Sequence, residues 1–240
     1  MTTVHLTNKK DHKIRCSICK IRSYSFCRCL DEDQLEIFSK VSFEKKYANK
    51  QNIFFQNDPS THLFNITEGN VKIYQLLDDG RIQIIGFLYP GDFFGTYRNN
   101  KYNYSAEAIG DLRTCVFDQK TLDKYMDQNP VLAKELINQT SYELTLAQDR
   151  MTVMGRLNAI EKIANFLINI SNQRKRIGWP CNPISLSMTR QDIADYLGLT
   201  IETVSREISK LKSSNIIKII STKQLFINDF EKLIQISKYK

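Results

Sequence analysis

The chain has 240 residues, 42% of them hydrophobic, with 34 Lys+Arg against 26 Asp+Glu for a net charge of +8. This length supports one large domain or two smaller ones with full cores, which excludes a peptide hormone or a disulfide miniprotein. With 9 Gly and 5 Pro, no apolar run near the roughly 18–20 residues of a membrane span and no secretory h-region at its start, the chain is expected in the cytoplasm with no membrane partner.

Charge is unevenly placed. Residues 1–30 and 157–240 are each strongly basic, and the stretch between them is net acidic. Basic segments draw polyanions through counterion release, so nucleic acid is the natural partner of at least one end.

Four of the six cysteines, Cys16, Cys19, Cys27 and Cys29, crowd the first thirty residues, and Cys115 and Cys181 stand alone. In a chain without an export signal thiols stay reduced, so the crowding points to metal or redox chemistry and away from disulfides. Tetrahedral thiolate coordination suits a zinc ion or an iron–sulfur cluster equally on ligand chemistry alone. His5, His12 and His62 are scattered and carry no ligand role.

Within a roll domain expected at 31–128, short runs rich in Ile, Phe, Tyr and Val alternate with turn residues from about Phe43 to Phe117. Val71 and Ile73 face one way and Lys72 and Tyr74 the other, and Asp79-Gly80 is a hairpin turn. The spacing of Gly69, Gly80, Gly91 and Gly95 predicts a compact antiparallel roll. Over 129–155 the pattern changes to a helix, in which Ile137, Thr140, Leu144, Ala147, Met151 and Met154 repeat at intervals of three and four. Such a narrow seam fits a homodimer or packing on the chain's own roll, with Asp149 and Arg150 beside it. Asp149 is the expected source of repulsion between partners.

Residues 156–240 open with a second amphipathic helix. In SMTRQDIADYLGLTIETVSREISKLKSS, Thr189 caps a helix running to about Leu197, Gly198 turns the chain and Thr200 caps a second helix. Helix, short Gly-containing turn, helix is the helix-turn-helix arrangement. On the second helix Ile201, Val204, Ile208 and Leu211 share an inward side, which leaves Glu202, Ser205, Arg206 and Ser209 to face a groove. Arg suits guanine, Glu accepts from the cytosine amino group, and Ser reaches a base or a phosphate. Arg190 joins this set, and NIIKIISTKQLFIND reads as a wing hairpin. No nucleophile–base pair, phosphate-cradling loop or paired acid site suggests an enzyme.

From about Cys16 onwards the chain resembles the Crp/Fnr transcription regulators, most specifically in LSMTRQDIADYLGLTIETVSREISKL. The resemblance implies an α+β fold: an N-terminal β-roll of the cyclic-nucleotide-binding type, a long dimerisation helix and a C-terminal winged helix-turn-helix domain. Glu202-x-x-Ser205-Arg206 is similar to the oxygen-sensing fumarate and nitrate reduction branch. That likeness implies a double-stranded DNA site of the form TTGAT-N4-ATCAA, activation of anaerobic genes, and contact with RNA polymerase around Asp78-Asp79-Gly80. It also favours a [4Fe–4S] cluster over Zn2+, with Cys115 as fourth ligand to Cys16, Cys19 and either Cys27 or Cys29. Choosing Cys27 leaves Cys29 free to point away. Arg15, Lys20, Arg22 and Arg28 would offset the cluster's charge and raise its potential. Cluster binding would favour pairing of the seam, and oxygen would weaken both pairing and DNA affinity. Relatives that bind cyclic AMP use a Glu and an Arg-Ser pair; here Phe93–Gly95 offers no Glu and Tyr104 precedes Ser105, so cyclic AMP is not expected and Arg98 is a poor stand-in.

Overall fold

The computed structural model describes Cys16 and residues 18–238. Arg15 and the lysines before it lie outside the described residues, as does the side chain of Arg98. The chain forms two compact units. One takes the residues up to Lys72 with Leu88–Ser141; the other takes Ile73–Phe87 with the chain from Tyr142 onwards.

In the first unit, two 3-10 turns, Arg22–Tyr24 and Phe26–Cys29, lead into helix α1, Glu32–Lys40. Asp31 and Gln34 close a reciprocal capping box at its start, satisfying two orphan donors. The roll follows: β1 (Ser42–Tyr47), β2 (Asn52–Phe54), β3 (His62–Leu76), β4 (Ile82–Leu88), β5 (Phe93–Phe94), β6 (Tyr97–Arg98), β7 (Lys101–Tyr102) and β8 (Ser105–Asp118). The main sheet runs β1-β8-β3-β4, with β2 also on β8 and β5 on β3. Gly69 is held at φ +86°, and a Cβ there would lie 2.3 Å from Asp111 O, so only glycine allows β3 and β8 to approach at this point. Helix α2 (Gln119–Gln128), capped by Asp118, and the start of α3 (Pro130–Arg156) complete the unit. Helices α1 and α2 lie inside the 31–128 expected for the roll domain but outside its strand-rich stretch from Phe43 to Phe117.

One aromatic-rich core joins these pieces. Phe26 and Leu30 from the cysteine segment, Leu35 and Phe38 from α1, Phe117 from β8, Leu122 and Tyr125 from α2 and Leu132 from α3 are all buried together. Phe38 stacks on Phe117 at 4.8 Å between centroids, and Phe26 meets Phe117 edge-on at 5.6 Å. Each fully buried ring stabilises the fold by about 1.5–3 kcal/mol. The cysteine segment is therefore pinned by its own Phe26 and Leu30.

The second unit holds the hairpin tip of β3 and β4, the rest of α3, helix α4 (Ala159–Arg176), strand β9 (Ile184–Ser185), helices α5 (Arg190–Leu197) and α6 (Ile201–Ser213), the hairpin β10 (Ile217–Ser221) and β11 (Gln224–Ile227), and helix α7 (Phe230–Ser237). A boundary near Gly155 is expected from the sequence, yet compactness divides the chain inside α3 and transfers residues 73–87 to this unit. The reason is side-chain reach. Gln83 Nε2 donates to Asp195 O at 2.7 Å, Arg150 donates to Ile85 O, and Phe87 packs on Phe166 and Tyr196.

Candidate functional site

The recognition element forms as its local sequence demands. Thr189 caps α5 through a capping box with Asp192, Gly198 ends it in the left-handed region at φ +61°, and Thr200 accepts from Thr203 N to begin α6. Val204, Ile208 and Leu211 are buried; Ile201, expected with them, is 38% exposed because it is the first residue of the helix and has no preceding turn to pack under. Glu202, Ser205, Arg206 and Ser209 are all exposed. Glu202 is held below the usual carboxylate range by its own backbone N–H and then by Thr200, so it is an anionic acceptor at neutral pH.

One residue of this helix escapes sequence reasoning. Glu207 is buried, with Lys210 Nζ at 2.9 Å and Arg206 Nε at 3.1 Å from Oε1. Burial alone would raise its pKa, but hydrogen bonds from Lys210 and Arg206 hold it below the ordinary value. Arg206 is thereby braced at its Nε, and its Nη2 reaches Thr203 Oγ1 at 3.4 Å. Less side-chain entropy is lost when a braced fork meets a base. Ser209 spends its hydroxyl on Ser205 O at 2.9 Å. Arg190 is partly buried, its pKa lowered by desolvation, and its buried Nη1 takes no partner among the described residues.

Of the seam residues on α3, Ile137, Leu144 and Met151 are 64%, 59% and 73% exposed and follow one another at seven-residue spacing, with Thr140 exposed between them and Ala147 half-buried. Arg150, beside the seam, and Met154, within it, make contacts inside the second unit. Arg150 bonds Ile85 O and lies 5.7 Å from the centroid of the Tyr196 ring, and Met154 Cε packs so closely on Gly198 that a Cβ there would be 2.9 Å away. At 100° per residue Arg150 lies about 100–140° round the helix from Met151, Leu144 and Ile137, off their stripe. Asp149 is half-buried.

Cys16, Cys19, Cys27 and Cys115 line one pocket, walled by Ile21, Leu35, Phe38 and Phe117 with Arg22, Ser42, Asn65 and Thr67. The roll's β8 presents Cys115 and Phe117 on its outer face, and the Phe26 anchor swings Cys27 toward them. Burial pushes the Cys27 thiol up, and Cys115, then Cys16 and Cys19, push it further. Cys29 points elsewhere: its Sγ donates to Phe26 O at 3.2 Å, and its pKa is raised by burial and then by Glu135, which pairs with Arg28 at 2.9 Å. Cys181 lies in the second unit, where its carbonyl accepts from Ser171 Oγ.

Among the described residues no three His, Cys, Asp or Glu are placed to hold a metal ion. A ZnS4 site needs sulfurs about 3.8 Å apart on bonds of about 2.3 Å. The four thiols that line this pocket are a donor set that suits an iron–sulfur cluster or a zinc ion.

Inside the roll, Phe54 stacks on Tyr102 at 3.8 Å and on Phe64 at 5.6 Å, and Phe64 stacks on Phe94 at 5.0 Å. Gly95 N–H, a backbone donor of the turn, donates to Tyr104 Oη at 2.9 Å.

Comparison with known proteins agrees with this anatomy. The cyclic nucleotide-binding domain family matches residues 44–129 and the Crp-like helix-turn-helix domain family matches 161–236. The nitrogen fixation regulation protein FixK of Bradyrhizobium diazoefficiens is 38% identical over 205 residues, 85% of this chain and 86% of that protein. The chain belongs to the Crp/Fnr family. The transcriptional activator protein FnrL of Cereibacter sphaeroides is 31% identical over 225 residues, 92% of this chain and 91% of that protein. The solved structure of FixK2 from Bradyrhizobium japonicum superposes with a TM-score of 0.78 at 32% identity, covering 83% of this chain and 99% of that one. Crp/Fnr proteins are DNA-binding transcription regulators and not enzymes, and the α5–α6 pair lies within this chain's matched helix-turn-helix domain.

Proposed function

We propose that this Crp/Fnr regulator responds to oxygen through a [4Fe–4S] cluster held by Cys16, Cys19, Cys27 and Cys115. The observation that carries the reading is the shared pocket of these four thiols, with Cys29 bonded to Phe26 O and turned away. When bound, the cluster supplies the oxygen-labile centre. The chain supplies the rest. Phe26 and Leu30 fix the segment in the core, Arg22 on the pocket wall brings positive charge to a tetrathiolate site, and Arg28 connects the segment to Glu135 on α3.

The exposed stripe of Ile137, Leu144 and Met151, with Thr140 and Ala147, pairs with the same stripe of a second copy. Two copies then present two α6 helices to an inverted repeat of the TTGAT-N4-ATCAA type. Glu202, Ser205 and Arg206 read base edges; Thr189, Arg190, Thr200 and Ser209 position the helix on the backbone. Loss of the segment's anchorage weakens the pairing, a shift that needs a differential stability of only a few kcal/mol. Tyr104 Oη occupies the Gly95 N–H, which supports a roll that takes no cyclic AMP. The exposed acidic turn at Asp78-Asp79-Gly80 is suited to meet RNA polymerase, and the protein acts in the cytoplasm, where DNA is.

A second reading has support in the relatives named nitrogen fixation regulation protein: a regulator of the same fold that binds DNA with no resident centre. Iron and sulfide analysis with a visible spectrum on anaerobically purified protein separates the two. The cluster reading expects about four iron and four sulfide per chain, with operator affinity that falls after air exposure. Iron-free protein with air-independent DNA binding establishes the second reading.

A further inference from the structure

Asn65 is a polar residue of the thiol pocket whose chemistry the four cysteines do not explain. It lies on β3, is 1% exposed, and its Oδ1 is buried without a hydrogen-bond partner. Strand alternation turns Asn65 and Thr67 toward the pocket, while Phe64 joins the stacked rings inside the roll. Thr67 spends its hydroxyl on Arg113 O at 3.0 Å. Asn65 therefore offers a buried amide to a space walled by Leu35, Phe38, Phe117 and four thiols.

An amide buried without a partner is costly, and a leucine of the same shape would remove that cost. A strand position packed among Phe38 and Phe117 calls for such a leucine unless something in the pocket uses the amide. The two ends of an asparagine side chain exchange by a half-turn of χ2, so Nδ2 can take the place of Oδ1. Thiolate and bridging sulfide sulfurs accept hydrogen bonds, and such bonds set the potential of a cluster.

Resting on the cluster reading above, we propose that Asn65 is a positioning residue of the metal centre, donating an amide N–H to a cluster or cysteine sulfur and thereby slowing loss of the cluster to oxygen. The sign follows from charge. A donor stabilises the more electron-rich state, raises the potential and makes oxidation harder; removing it does the reverse.

The test compares wild type with Asn65→Leu and Asn65→Asp, each as the full chain reconstituted anaerobically with iron and sulfide. The first readout is the bleaching rate of the visible band in air-saturated buffer. Asn65→Leu is expected to load iron and to bleach at least twofold faster than wild type. Asn65→Asp, which keeps the shape but brings an anion to four thiolates, is expected to lose most of its iron loading. The second readout is thermal unfolding of the cluster-free proteins, where Asn65→Leu is expected to melt at or above the wild-type temperature. Loaded Asn65→Leu bleaching at the wild-type rate overturns the inference and leaves the cluster reading standing. A cluster-free Asn65→Leu that melts well below wild type, or folds too poorly to load, overturns it too, since the amide then serves the fold. Wild type that takes up no iron overturns the cluster reading itself and this inference with it.

Discussion

The DNA-reading element and the thiol pocket differ in how far the chain travels to build them. Residues 189–213 cap, turn and pack within one stretch of sequence, and each capping bond spans three residues. The pocket draws Cys16 and Cys19 from the N-terminal segment, Leu35 and Phe38 from α1, Asn65 from β3 and Cys115 from β8. A local element is specified by its own caps and apolar period. A site gathered from four segments is specified by whatever core holds them together, here the rings of Phe26, Phe38 and Phe117.

The comparison is sharpened most by the cysteines themselves. Cys27→Ser is expected to abolish iron loading, whereas Cys29→Ser retains it, because only Cys27 shares the pocket; metal analysis of both variants checks this, and equal loading would falsify the assignment of Cys27. Next comes the core that assembles the pocket. Phe38→Ala removes a ring that touches Phe26, Phe117 and Tyr125, with an expected loss of about 3–5 kcal/mol in urea unfolding. The same substitution should leave the caps of α5 and α6 intact. If DNA-reading residues lost order together with the pocket, by amide exchange, the contrast between local and assembled sites would fail.

In the recognition helix the effects are smaller and confined to binding. Arg206→Ala is expected to weaken operator affinity by about 1–3 kcal/mol and to relax base preference at one position of each half-site, read by fluorescence anisotropy on a set of mutated operators. The smallest effect is acid stability. Glu207 has a folded pKa below its unfolded value, so it contributes stability above the ordinary carboxylate range and that contribution is lost as pH falls through the folded pKa. Glu207→Gln should therefore flatten the acid limb of the stability profile; an unchanged limb would remove Glu207 from the bracing of Arg206.

Much of this was legible in the chain. Thr189, Gly198 and Thr200 mark both ends of α5 and the start of α6, and the structure uses all three as caps or turn. Ile137, Leu144 and Met151 mark a stripe on α3 that stays exposed. Other features carried no such signal. Glu207 looks like one more polar residue of an amphipathic helix, and only packing against the body of the domain buries it between Arg206 and Lys210. Arg150 reads as a neighbour of the seam, but the helix rotates it toward Ile85 and Tyr196. Asn65 is an ordinary polar residue of a strand until β8 and the cysteine segment close over it.

The sequence by itself determined the elements: the roll, the long helix, the capped helix pair and the crowding of cysteines near one end. Their signals are short-range, written in turns, caps and periods of two or of three to four residues. Tertiary structure alone decided which thiols meet: Cys27 and Cys29 are two residues apart on one 3-10 turn whose Phe26 ring is locked into the core, yet Cys27 lines the pocket and Cys29 bonds Phe26 O. Local propensity cannot distinguish such neighbours. The packing of one buried ring can.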